Sequence, residues 1–242
     1  MISLMTLRMR ILVGILFLFA TAIQSQRAAL PPDPDKDPQM LNLLQEARTL
    51  IDGKKLPAAI EKCDKVIASF KTHYGSRKEK IYCARTSAET LGYLLKAATD
   101  KHNAIALSST WSDAHFMKAY ALQDLGRLAE AKSAVQLAVS LSPWNSRYLS
   151  ELGNLYQLEK NWPKAREAFE TAEDQAPLSP DDVKAEELGR ARRGLAYVFV
   201  EQGKLAEAEK KYQQCLAADP HDTRAAQELE YVRGLRAKTK SR

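Results

Sequence analysis

The side chains that usually do chemistry are few and scattered in this chain of 242 residues. Its four histidines, His73, His102, His115 and His221, show no metal-ligand spacing with one another or with Asp, Glu or Cys. The sequence has no Gly-rich phosphate loop, no nucleophile elbow and no His-Glu-x-x-His motif. Asp181 and Asp182 form a carboxylate pair of the kind acid–base chemistry uses, but they directly follow Pro180. There they suit a helix N-terminus, where the aligned peptide dipoles favour negative charge. Three cysteines, Cys63, Cys83 and Cys215, are too few to build a disulfide scaffold. These residues predict no catalytic group, no metal site and no cofactor: the chain reads as a non-enzyme.

Composition bounds the elements that carry these residues. With 45% hydrophobic residues the chain can bury a core, so it is not a disordered polymer. Ten glycines and ten prolines are too few for a sandwich or barrel that turns about every ten residues. At the N-terminus, Arg8 and Arg10 precede the uncharged run Ile11–Ile23, and Ala20-Thr21-Ala22 follows the small-x-small rule for cleavage. Residues 1–25 are therefore expected to be a secretory signal peptide, cut after Ala22 or Ser25, with an uncleaved N-terminal anchor as the alternative. A membrane-spanning helix needs about 20 apolar residues, and the two arginines stop this run from extending backwards. Export to the periplasm or out of the cell follows, with membrane anchoring as the second reading. Residues 26–39 are Pro/Asp-rich and predict a stiff, extended linker.

Loss of residues 1–22 removes Arg8 and Arg10 and no acid, so the formal charge falls from +6 to +4. Much of the remainder lies in Arg233, Arg236, Lys238, Lys240 and Arg242, with 236–242 expected as a basic tail. A solvated helix end accounts for it, and no nucleic-acid partner is expected.

The body of the chain repeats. Gly126-Arg127-Leu128-Ala129-Glu130-Ala131 returns as Gly203-Lys204-Leu205-Ala206-Glu207-Ala208, and both Ala131 to Ala165 and Pro143 to Pro177 span 34 residues. A fixed period of this size marks stacked helix pairs, none able to bury its apolar face alone. The clearest unit, 146–179, contains Leu149, Leu152, Gly153, Tyr156, Ala165, Phe169, Ala172 and Pro177. This resembles the tetratricopeptide repeat, with Leu149 in place of the leading tryptophan. Units near 112–145 and 189–222 fit well, and those near 40–73 and 80–113 fit poorly. Residues 180–188 are an insertion, expected to start the next helix early. Residues 223–235 read as a capping helix, Ala225, Leu229 and Val232 forming its apolar face. The expected fold is an all-α solenoid of about five antiparallel helix pairs with a C-terminal cap, a single domain over 40–235.

The resemblance implies an adaptor or scaffold that holds protein or peptide partners in the groove formed by the first helices. By phase, Leu44, Arg48, Ala84, Ala88, Phe116, Tyr120, Ser150, Asn154, Arg193 and Tyr197 would face that groove. Phe116, Tyr120, Asn154, Arg193 and Tyr197 are the principal candidates. Some family members clamp a C-terminal carboxylate with Lys and Asn at these positions; here only Asn154 matches. Arg190 and Arg193 either receive an acidic peptide or form a solvated face. His115 takes the place of the leading tryptophan of its unit. Cys63 and Cys83 fall on helices that pack together in such repeats, which leaves two readings: a disulfide, or two small buried apolar residues. A membrane-tethered assembly factor is the alternative function, and a small-ligand binder or enzyme using the 180–188 insertion is the second alternative.

Overall fold

Asp37 starts the body of the protein: its side chain accepts the Gln39 N–H at 2.9 Å and caps the first helix, with Pro38 in the first turn. The computed structural model describes residues 32–240, with side chains as far as Lys238. The expected signal peptide or anchor (1–25) and linker residues 26–31 lie outside the described residues. The end of the linker that is described is folded onto the body and is not a free tether. The Asp35 carboxylate accepts both the Ser108 N–H, at 3.0 Å, and the Ser108 hydroxyl, at 2.6 Å.

The elements run α1 (Pro38–Asp52), α2 (Leu56–Tyr74), β1 (Lys80–Ala84), α3 (Ser87–Thr99), β2 (Ala104–Ser108), α4 (Thr110–Asp124) and α5 (Leu128–Leu141). They continue through α6 (Ser146–Leu158), α7 (Trp162–Gln175), a 3-10 turn (Ala176–Leu178), α8 (Lys184–Glu201), α9 (Leu205–Ala218) and α10 (Thr223–Lys240). The all-α solenoid expected from the sequence is present. Its pairs are α1–α2, α4–α5, α6–α7 and α8–α9, with α10 packed on the last.

Within each pair the turn repeats one backbone device. Lys54, Gly126, Lys160 and Gly203 all adopt the left-handed region, at φ 55°, 74°, 55° and 71°. Glycine reaches that region without a Cβ penalty, and the two lysines reach it with strain. Between pairs, Phe169 of α7 is fully buried and clasped by two glycines. A Cβ built on Gly153 of α6 would come 2.7 Å from its ring, and one on Gly194 of α8 would come within 2.2 Å. Close ring-to-backbone packing explains why the motif wants glycine at these places. As expected, α8 starts ahead of the unit near 189–222, at Lys184.

The unit near 80–113 is a correction. It is not a helix pair: β1 and β2 form a two-stranded parallel sheet, Lys80 beside Ala104 and Ala84 beside Ser108, with α3 as the crossover. The solenoid therefore has four helix pairs among the described residues, and α4 packs directly on α2 across the excursion. The physical reasons are local. Thr86-x-x-Glu89 has the sequence of a capping box: Thr86 Oγ1 accepts the Glu89 N–H at 3.1 Å, and the Glu89 carboxylate reaches back to the Arg85 N–H at 2.6 Å, so the helix begins at Ser87. Ile81 and Ala84 thus fall in a strand, not on a helix face. The apolar run 104–108 is too short for a helix and alternates as a strand. Ile81, Cys83, Ile105 and Leu107 face the solenoid core with Val66, Phe70 and Trp111, while Tyr82, Ala84 and Ala104 face α3.

Two smaller corrections follow. The expected basic tail from 236 is still helix, since α10 continues to Lys240, and Arg233 and Arg236 both pair with Glu209 of α9. Cys63, Cys83 and Cys215 are free thiols. The disulfide reading required Cys83 on a repeat helix; it stands on β1. Burial pushes the Cys63 and Cys83 thiols up to about 12 and that of Cys215 up to about 11, which keeps them protonated and unreactive.

Candidate functional site

The first helices of successive pairs, α4, α6 and α8, line one face together with α10. Two adjoining cavities open there, of about 370 Å³ and about 600 Å³. Tyr120, Asn154 and Tyr197 line both, and Arg193 lines the second. A third cavity of about 650 Å³ lies toward the N-terminus, between α1, α4 and the 180–187 segment. Tyr120 belongs to this one as well, so its half-exposed ring links all three.

The five principal candidates fare differently. Tyr120 and Tyr197 are 38% and 43% exposed, enough ring surface to meet a partner. Tyr120 bonds Arg190, and burial followed by the Glu201 carboxylate pushes the Tyr197 phenol up. Asn154 stands at the rim of the first cavity, its amide 3.4 Å from Glu151 Oε2. Arg193 is not free to receive an acidic partner: it pairs with Asp222, whose other oxygen accepts the Ala225 N–H at 3.0 Å. It fastens the start of α10. Phe116 is 2% exposed and packs as a core residue, stacked on Tyr148 at 4.8 Å, with the Arg147 guanidinium 4.7 Å from its ring centroid. Of the other positions placed by phase, Ser150 is buried, Ala84 lies under α3 and Ala88 lies on α3, outside the groove.

Several groups that matter here carry no periodic signal. Arg85, from the excursion, bonds Glu187 of α8 at 2.7 Å and Glu89 at 3.2 Å, and Ser179 Oγ donates to Glu187 at 2.6 Å. Thr86 Oγ1 donates to the Leu178 carbonyl at 3.3 Å. This mostly buried cluster latches the βαβ excursion to residues 178–187, and its Arg85 and Glu187 line the third cavity. Burial raises the Glu89 carboxyl, partly offset by Arg85. On the same wall, the Tyr148 hydroxyl donates to Asp113 at 2.6 Å, and Ser112 and Ser142 continue the chain to the Cys83 carbonyl. Burial and Asp113 push the Tyr148 phenol well above its usual range. Asp181 pairs with Lys184 at 2.6 Å just ahead of α8, whose N-cap is Val183 without a side-chain cap bond. His115 is buried on α4, and desolvation with nearby Lys118 lowers its imidazole to about 4, so it packs neutral.

Residues 112–143 and 144–220 each match a family described as Tetratricopeptide repeat. Joined to the stacked helix pairs, the match identifies residues 112–220 as tetratricopeptide repeats. Among solved structures, PilF of Pseudomonas aeruginosa is similar at 15% identity and a TM-score of 0.58, over 82% of this chain and 69% of that one. MamA is similar at 20% identity and a TM-score of 0.50, over 85% of this chain and 91% of its own. At such identities the likeness is one of fold. No curated protein matches the sequence. Tetratricopeptide arrays are interaction scaffolds: stacked helices build extended surfaces that hold proteins or peptides. Among the described residues no helix is long and apolar enough to cross a membrane, and no group of three or more His, Cys, Asp or Glu is placed to hold a metal ion.

Proposed function

We propose that the chain is an exported, non-enzymatic adaptor that holds a protein or peptide partner along the face formed by α4, α6, α8 and α10. The observation that carries this reading is the continuity of the two C-terminal cavities across the first helices, with Tyr120, Asn154 and Tyr197 common to both. Tyrosine supplies large contact area at low entropic cost, and it is enriched at binding hot spots. Export rests on the basic and apolar pattern of residues 1–25. The alternative, an assembly factor held at the membrane, keeps the same groove and retains the N-terminal segment. A small-ligand site at the 180–188 insertion has less support, because the insertion is occupied with the Arg85 latch.

Crosslinking and mass spectrometry on the intact cell envelope test the groove. Crosslinks are expected to concentrate on α4, α6 and α8, and Tyr120→Ala with Asn154→Ala and Tyr197→Ala should cut them at least ten-fold. Crosslinks that the triple variant leaves unchanged overturn the groove. N-terminal sequencing separates the two locations: a start near Ile23 or Gln26 means a released protein, and an intact Met1 means an anchored one.

A further inference from the structure

Charge inside the groove runs opposite to the arginine-based reading of the sequence. Arg193 is taken by Asp222, and Arg190 by Glu186, at 3.2 Å, and by the side chain of Tyr120. On α6, between the tyrosines of α4 and α8, stands a carboxylate of another kind. Glu151 is only 5% exposed and lines the first cavity. It accepts Gln123 Nε2 at 2.6 Å and lies 3.4 Å from Asn154 Nδ2, both neutral donors. Among the described residues it makes no salt bridge, whereas the other buried acids, Glu89 and Glu187, share Arg85. A carboxylate withdrawn from water without a cation is costly, and a partner's cation placed against it recovers that cost. Tyr120 and Tyr197 line the same cavity, and aromatic faces attract cations as well.

Resting on the groove reading above, we infer that the first cavity is a subsite for a lysine or arginine side chain of the protein partner. The ammonium or guanidinium bonds Glu151, and Tyr120 and Tyr197 flank its aliphatic stem. Gln123 and Asn154 are positioning residues that hold the carboxylate toward the cavity. Asp124 lines the cavity too, but Lys54 already neutralises it at 2.7 Å. Among the described residues that line this cavity, Arg190 of α8 is the one cation, and it opposes a basic ligand.

Amide-shift titrations of the full-length 15N-labelled protein test this, with acetylated ten-residue Gly-Ser peptides carrying a central Lys, Arg, Glu or Met. Lys and Arg peptides are expected to shift amides around Glu151 and to bind at least ten-fold tighter than the Glu and Met peptides. Glu151→Gln should bring all four within about two-fold. Arg190→Gln should tighten the Lys peptide, where a groove built for acids would lose affinity for the Glu peptide. Equal or tighter binding of the Glu peptide, a preference that survives Glu151→Gln, or no shift around Glu151 with any peptide overturns the subsite. Should Glu151→Gln fail to fold, the wild-type preference must shrink from 50 to 500 mM salt, and a salt-independent preference overturns the subsite equally. A Glu or Met peptide that shifts Tyr120 and Tyr197 spares the groove and sinks only the basic subsite. Peptides that shift other faces alone sink the groove as well.

Discussion

The repeats from α4 to α9 and the βαβ excursion from β1 to β2 solve the same problem by different means. Each must fix its elements against a neighbour. The repeats do it with apolar shape: Phe169 between Gly153 and Gly194, Ala165 and Ala172 at the crossings, and a left-handed turn at the same place in every pair. The excursion also packs Ile81, Cys83, Ile105 and Leu107 against the solenoid core, and adds to this unique polar contacts and a few ring contacts. Arg85 reaches Glu187, Thr86 reaches Leu178, Tyr82 stacks on Tyr93 at 4.8 Å, and Trp144 packs tilted against Tyr93 at 4.7 Å while its backbone N–H donates to the Tyr93 hydroxyl. Shape that recurs leaves a period in the sequence. A single arginine meeting a glutamate 102 residues away leaves none.

The largest effect is expected where the repeats are tightest. Phe169→Ala removes a fully buried ring between two pairs and should cost about 3–5 kcal/mol by denaturant unfolding. A loss below about 1 kcal/mol would mean that the ring is not the inter-pair anchor. Next comes the excursion. Arg85→Ala strands Glu89 and Glu187 as buried charges and should cost about 3 kcal/mol. Hydrogen exchange sharpens the contrast: in this variant amides of 80–108 and 178–187 should open well before those of α6 and α9. Uniform opening would erase the distinction between the two regions. The smallest effect has the opposite sign. Lys160→Gly relieves a left-handed lysine and should stabilise the protein by about 1 kcal/mol in a thermal melt, since its counterparts Gly126 and Gly203 carry the same turn without strain.

The same contrast explains what could be read in advance. Leu149, Gly153, Tyr156, Ala165, Phe169 and Pro177 recur because each packing position recurs, so the pairs over 112–222 were legible residue by residue. At 80–113 the repeat phase misled, because it put Cys83 and Ala84 on a helix and both stand on β1. The capping box Thr86-x-x-Glu89 was the signal that a helix starts only at Ser87. In the groove, phase alone was enough to put Tyr120, Asn154 and Tyr197 on one surface. It also put Phe116 and Arg193 on cavity walls, but it could not show that Phe116 is buried against Tyr148 and Arg193 paired with Asp222, since phase reports the direction of a side chain and not whether a neighbour already occupies it. Glu151 was passed over because its missing cation shows only once every nearby charge has been placed.

The sequence by itself determined a helical solenoid, its 34-residue phase, its cap and its lack of catalytic motifs, because repeated burial imposes repeated residues. Only the tertiary structure decided that one supposed pair is a βαβ excursion and that the cysteines are unpaired. It alone showed which groove charges are spent and which remain. Those outcomes depend on contacts between residues far apart in the chain, and pairings made once leave no pattern along it.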